Sequence, residues 1–463
     1  MKKILLSLFL TLSSSLLTIC KAQFTAIHNF HDSLGANPQG YLTTLGNLLF
    51  GMTSDGGAKG YGCIFSIDTT GFIYKDLYDF NDSNGAYPAG SLTYSSGKLF
   101  GMTSGGGTNH YGIIFSIDTS GMGFNKLLDF NGPNGYDPNG SLTLSGAFLY
   151  GMTIGGGANG DGCIFSIDTN GSGYSDLFDF NSTNGSSPGG SLIISGSVLY
   201  GITTYGGANG KGDIFSINTN GSGFADMHDF NGSDGAEPWG SLILSGNILY
   251  GMTFGGGANS TGCIFSIHTN GTGYKSIFDY GGYYGEEPMG SLILSGKKLY
   301  GMTEYGGAHT YGCAFVIDTI GSGYVDAFDF ADTNGAYPQG DLTLYGNELY
   351  GMTFKGGAKN DGVIFKMDFL TAGVNELNSK GVVVKLYPNP NNGRFTILSS
   401  AASAQSTVEI YNTLGEKIYE KVATNNGQWT INLDGTPPGV YFYRLFSKRG
   451  EAASEGKFII QTQ

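Results

Sequence analysis

Apolar and polar residues along this chain form a pattern that returns every 50 residues. Gly-Met-Thr begins at Gly51, Gly101, Gly151, Gly251, Gly301 and Gly351, and Gly201-Ile202-Thr203 fills the remaining slot. One copy shows the internal order. Gly140-Ser-Leu-Thr-Leu-Ser-Gly146 is followed by Phe148-Leu-Tyr-Gly-Met-Thr153, then by Gly162-Cys-Ile-Phe-Ser-Ile-Asp168 and Tyr174-Ser-Asp-Leu-Phe-Asp-Phe180. These four runs alternate, or are rich in β-branched and aromatic residues, and Gly and Asn bound them, so each predicts a strand. Ser145-Gly146 makes a tight hairpin between the first two. Asn170-Gly171 supplies the positive φ that a hairpin between the last two demands.

Four antiparallel strands in about 50 residues describe one propeller blade. The two ends of the array sharpen this expectation. The third run occurs for the seventh time at Val363-Ile-Phe-Lys-Met-Asp368, and no fourth run follows it. Phe24-Thr-Ala-Ile-His-Asn-Phe30 is a fourth run without a blade of its own. Pairing it with the last blade would remove two exposed sheet edges. The predicted fold is all-β: a seven-bladed β-propeller over 23–368, with strand 24–30 completing the last blade, followed by a small Ig-like β-sandwich.

Columns that recur from copy to copy read as core. Leu42, Leu92 and Leu142 head the first run, Phe50, Phe100 and Tyr150 end the apolar part of the second, and Phe65, Phe115 and Phe165 sit in the third. A buried aromatic covers roughly 150–250 Å², so blade-to-blade aromatic packing should dominate stability. Cys63, Cys163, Cys263 and Cys313 occupy one column and read as small buried hydrophobes too far apart to pair.

Composition then narrows the class. Of 463 residues 80 are Gly, aromatics make up 13%, and the net charge is −14. So many aromatics with so little charge exclude disorder, and the acidic balance excludes nucleic acid as a partner. Residues 1–22 read as a signal peptide: Lys2 and Lys3, an apolar stretch, then cleavage between Ala22 and Gln23. Acylation at Cys20 is the alternative. No later stretch reaches the length of a membrane span.

The register stops after Asp368. Residues 369–383 read as a linker, and from 384 to 463 seven short strand candidates fit a β-sandwich. Tyr387-Pro-Asn-Pro390, Gly393-Arg-Phe395, Val408-Glu-Ile-Tyr-Asn-Thr-Leu-Gly415, Leu433 and Gly439-Val-Tyr441 together resemble the C-terminal sorting domain of the type IX secretion system. The matching positions are Pro388, Asn389, Pro390, Gly393, Phe395, Gly415, Gly439 and Tyr441. The resemblance implies that the type IX machinery is a partner, and that the protein reaches the surface or the surroundings of a Gram-negative bacterium. The repeats are similar to the Gloeo/Verruco tandem-repeat family of bacterial surface proteins, which brings no assigned activity. Their residue order is also kelch-like.

Residues identical in every copy are explained by geometry, so chemistry is sought in the departures. Tyr205, Trp239, Phe254, Tyr283, Tyr284 and Tyr305 are aromatic departures in the long loops, a residue type that stacks on sugars or anchors protein partners. Acidic departures include Asp137, Glu237, Glu286, Glu287 and Glu304; Glu287 and Glu304 could face each other on the sixth blade, though the sequence does not fix it. The recurring Asp-Phe-Asn-x-x-Asn-Gly lacks the terminal Glu of a calcium loop and reads as Asx turns. The six His have no ligand spacing, so no metal site is expected, and no cofactor motif or nucleophile elbow appears. The expectation is a non-enzymatic module binding glycan or a surface protein through one loop face. The alternative is a polysaccharide-degrading enzyme, a glycosidase or lyase, on the same face.

Overall fold

A computed structural model of the chain describes residues 22–368 and, nearer the C-terminus, 384–387, 391, 393–399, 406–412, 416–422, 428–433, 435–446 and 452–460. The chain divides into two compact units, Met1–Phe369 and Leu370–Gln463. Both are all-β in their described residues, apart from two short 3-10 turns at Asp32–Leu34 and Gly282–Tyr284.

In the first unit every repeat makes one four-stranded antiparallel sheet. The third repeat contributes Thr143–Ser145, Phe148–Thr153, Cys163–Asp168 and Ser175–Asp179, paired in chain order. The first strand is shorter than its apolar run predicts. Its preceding backbone is committed to the next repeat instead: Ser141 N–H donates to the Ser191 hydroxyl at 2.8 Å. The last sheet takes its fourth strand from the start of the chain, where Gln23–Asn29 pairs with Val363–Asp368. The expected cleavage point lies beside it: Ala22 N–H donates to the Ala327 carbonyl at 2.9 Å, and Gln23 opens the strand. The rest of the expected signal peptide lies outside the described residues.

The recurring Gly-Met-Thr now has a physical cause at each letter. Gly51 faces Phe65 across the strand pair, and a Cβ there would stand 2.5 Å from the ring. Met52 is buried in the core. Thr153 Oγ1 accepts from Cys163 N–H at 3.2 Å and donates to the Gly155 carbonyl at 2.9 Å, tying the loop to the sheet.

Each core cluster spans neighbouring repeats. Phe50, Met52, Ile64 and Phe80 of the first pack with Leu92, Leu99, Phe115 and Ile117 of the second. Tyr350, Met352 and Ile364 of the seventh pack with Leu42, Leu49, Phe65 and Ile67 of the first. Phe24 stacks on Phe328 of the sixth repeat, with ring centroids 4.2 Å apart. A second chain of contacts runs through the glycines. A Cβ on Gly40 would lie 2.6 Å from the Gly90 carbonyl, and the same approach recurs from repeat to repeat until Gly340 meets the carbonyl of Gly40. Only glycine permits main chains to come so near.

The described residues of the second unit form two sheets, of three and four strands. Phe395, Ile397, Trp429 and Ile431 from one and Val408, Ile410, Tyr443 and Phe458 from the other form a single core.

Candidate functional site

One column of the repeats is built to vary. The residue before each recurrent proline, from Asn37 to Tyr337, adopts a left-handed φ between 54° and 57°, although none of the seven is glycine. A position preceding proline ordinarily avoids the helical wells, and a left-handed non-glycine residue is strained. Hydrogen bonds on both sides hold it there. Glu287 N–H donates to the Thr261 carbonyl at 3.0 Å, and its own carbonyl accepts from Glu304 N–H at 3.3 Å. The same pair of bonds recurs at Asn37, through Asp361 and Ser54. At this position main-chain bonds join consecutive repeats, and the side chain is free to differ.

Two of the cavities along this column gather residues singled out in the sequence. The first, of about 470 Å³, gathers Tyr283, Glu286, Glu287 and Tyr305. Tyr283 is the most open of these, 73% exposed, and Tyr305 is 38% exposed. Burial, then the neighbouring Glu286 and Glu237 carboxylates, raises the Glu287 carboxyl above the ordinary range. The second cavity, of about 380 Å³, is lined by residues of all seven repeats, among them Trp239, Gln39, Asn139, Met289 and Gln339. Glu304 connects the two. It is buried, not displayed as the loop reading expected, and its Oε1 accepts from Gln339 Nε2 at 2.8 Å. Burial raises its carboxyl, and the Glu287 charge adds to the effect.

The aromatic departures therefore separate. Tyr283, Glu287 and Tyr305 meet in one cavity, and Trp239 lines the other. Tyr205, 42% exposed, Tyr284 and the half-buried Phe254 line neither. Tyr284 packs edge-on against Tyr324 at 5.7 Å. The column after each proline (Gln39, Ala89, Asn139, Gly189, Trp239, Met289, Gln339) escapes the sequence reading except at Trp239. Its signal is variability between an invariant proline and an invariant glycine.

The acids of the Asp-Phe-Asn motif are occupied by main-chain donors. Asp129 Oδ1 accepts from Thr108 N–H at 2.9 Å, and Asn131 and Asn134 exchange side-chain-to-backbone bonds at 2.7 and 3.2 Å. Among the described residues no group of three or more His, Cys, Asp or Glu is placed to hold a metal ion. No helix among them is long and apolar enough to cross a membrane.

In the second unit Pro388, Asn389, Pro390 and Gly415 lie outside the described residues. Gly393, at φ 95°, donates its N–H to Asn391 Oδ1 at 2.8 Å. Phe395 and Tyr441 are buried against Phe458, with centroids 4.4 and 5.8 Å away, and Gly439 opens the strand that carries Tyr441. Phe395 and Tyr441 thus belong to the core of the second unit.

Comparison with known proteins places these features. No curated protein matches the chain. Its fold is similar to that of an oligogalacturonate lyase in complex with manganese, at 11% identity over 75% of this chain and 93% of that one, TM-score 0.51. A puromycin-hydrolysing peptidase of Mycobacterium tuberculosis also scores 0.51, at 11% identity over 82% and 61%. PorZ, a surface component of the type-IX secretion system of Porphyromonas gingivalis, gives 13% identity over 94% of this chain and a TM-score of 0.48. The chain spans 61% of the length of the PorZ structure. At such identities the likeness is one of fold alone.

Family models are more specific. The Gloeobacter/Verrucomicrobia repeat matches 16–153, 84–250, 138–283 and 227–388, and the secretion system C-terminal sorting domain matches 385–461. The chain belongs to the Gloeobacter/Verrucomicrobia repeat family and carries a type IX sorting domain that sends it to the outer cell surface or beyond.

Proposed function

We propose that this is a surface or secreted recognition protein of a Gram-negative bacterium: a closed seven-bladed propeller, then an Ig-like sorting sandwich. It binds glycan or protein through the face that carries the variable column. A signal peptide, residues 1–22, would start its export, and the linker 369–383 would join its two domains. The observation that carries this reading is the meeting of Tyr283, Glu287 and Tyr305 in one cavity, on loops that depart from the repeat consensus. Two tyrosines offer rings for stacking, and a carboxylate accepts from hydroxyl or amide donors. Glycan arrays and surface pull-downs, run with the wild type and with Tyr283→Ala/Tyr305→Ala, test it. Retention of a ligand by the wild type and its loss from the variant is the expected result. Blank results in both assays would end the proposal.

A second reading rests on Glu287 and Glu304, adjacent carboxyls that are both raised by burial. Such perturbation accompanies acid–base catalysis as well as binding. Polysaccharide cleavage that disappears in Glu287→Gln and Glu304→Gln would establish the enzyme. Cleavage unaltered in both variants would place any catalytic pair elsewhere.

A further inference from the structure

The cavity shared by all seven repeats is divided into two chemical halves. Gln339 and Gln39, on consecutive repeats, and Asn139 present planar amides to it. Across from them Gly189, Trp239 and Met289 form an apolar arc. Gly189 makes room for the indole: a Cβ there would stand 2.9 Å from Trp239 Cε3. Trp239 thus lies against the neighbouring main chain while lining the open space.

The wall and floor add directed polar groups. Ser91 Oγ accepts from Tyr41 N–H at 2.6 Å, and Ser141 Oγ from Ser91 N–H at 2.8 Å. The Ser91 hydroxyl proton is left to donate, whereas the Ser141 hydroxyl is engaged by Tyr41, two repeats away. Tyr41 also lines the cavity near Asp341. Asp137 and Asp341 supply carboxyls, both raised by burial. Among the described lining residues there is no Lys, Arg or His.

We infer that this cavity is a subsite for one neutral sugar ring of a glycan. The ring lies on Trp239, and its hydroxyls bond the Gln39 and Gln339 amides and the Asp137 carboxyl. Apolar faces of pyranoses match an indole, and their hydroxyls match amides and carboxylates that both donate and accept. Two acids without a balancing cation disfavour uronic and other anionic sugars. The inference rests on the proposed recognition face and deepens it by naming the subsite and ligand class. Glu304 acts here as a positioning residue, since it holds Gln339.

The chain has only 2 Trp, and the other, Trp429, is fully buried in the second unit. Emission from Trp239 therefore reports occupancy. The full chain would be titrated with cello-, manno-, xylo- and laminarihexaose, with hexagalacturonate as the anionic comparator. At least one neutral hexaose should shift the emission saturably, and hexagalacturonate should not. By calorimetry Trp239→Ala and, separately, Gln39→Ala should weaken that hexaose by roughly tenfold or more. Full-strength binding by both single variants, with binding lost in Tyr283→Ala/Tyr305→Ala, would overturn the subsite and leave the wider face intact. Preference for hexagalacturonate would also overturn it. Silence from every neutral hexaose would overturn both the subsite and the glycan half of the proposed function.

Discussion

Cys63 and Tyr74 share one acceptor: the thiol and the phenol both donate to the Leu34 carbonyl, at 3.6 and 2.6 Å. The pair recurs as Cys163 with Tyr174, Cys263 with Tyr274 and Cys313 with Tyr324. Where the cysteine is replaced, the tyrosine loses its hydroxyl: Ile113 goes with Phe124, Asp213 with Phe224 and Val363 with Phe24. The last pair joins residues from opposite ends of the repeat region. Phe24 therefore occupies in the seventh sheet the place that Tyr74 takes in the first.

These thiols should be inert in the native protein. All four are buried and unpaired, and burial pushes Cys63, Cys163 and Cys313 up to about 12. Reaction with a thiol reagent should begin only on denaturation. Rapid labelling of the folded chain would contradict the packing.

Asp213 is the costly member of this column. Its Oδ1 accepts from Thr203 Oγ1 at 2.9 Å, its Oδ2 is buried without a hydrogen bond, and Asp226 and Asp229 lie nearby. Burial raises its carboxyl to about 8, so the folded state favours the neutral form. An unfolded Asp titrates near 3.9. The stabilisation that protonation confers is complete below that value and disappears as pH climbs toward 8. Asp213→Val, which copies Val363, should melt close to the wild type at pH 4 and clearly above it at pH 8.5. A gap that does not widen with pH would refute the assignment.

Two glycines of the first repeat should respond differently to a methyl group. Gly40→Ala drives Cβ to 2.6 Å from the Gly90 carbonyl, a main-chain obstacle, and should cost about 1–3 kcal/mol or more. Gly46, at φ 58°, has no atom within 4 Å of its Cβ position, so Gly46→Ala bears only the left-handed penalty of about 1 kcal/mol. Chemical denaturation of both variants measures the difference, and equal losses would mean the glycine contacts are slack.

Removal of 23–30 exposes the edge of Val363–Asp368 and takes Phe24 from between Phe328 and Phe365. The shortened chain should aggregate or melt less cooperatively. A variant that stays monomeric, with an unchanged transition, would show that the ends do not need each other.

A chain lacking 384–463 should fold its repeats yet remain in the periplasm. Fractionation and surface proteolysis check this. Normal display of the truncated protein would remove the sorting role.

The strands were legible because each copy carries its own hairpins. Ser145-Gly146 and Asn170-Gly171 announce their turns, and the unmatched run at Phe24 announces its partner at Phe365. The shortened first strand was not, because Ser141 spends its N–H on Ser191, 50 residues away. Burial of Glu304 was equally hidden, since it depends on Gln339 of the next copy. Tyr283 and Trp239 stand out as departures from consensus, but only coordinates divide them between two cavities.

The left-handed residues before the prolines have one more implication. Their main-chain links between Thr261, Glu287 and Glu304 involve no side-chain atom. Asn, Tyr, Asp, Ser and Glu all satisfy that geometry at this position. Substitution there changes the side chain displayed on this face while the main-chain links between repeats stay the same.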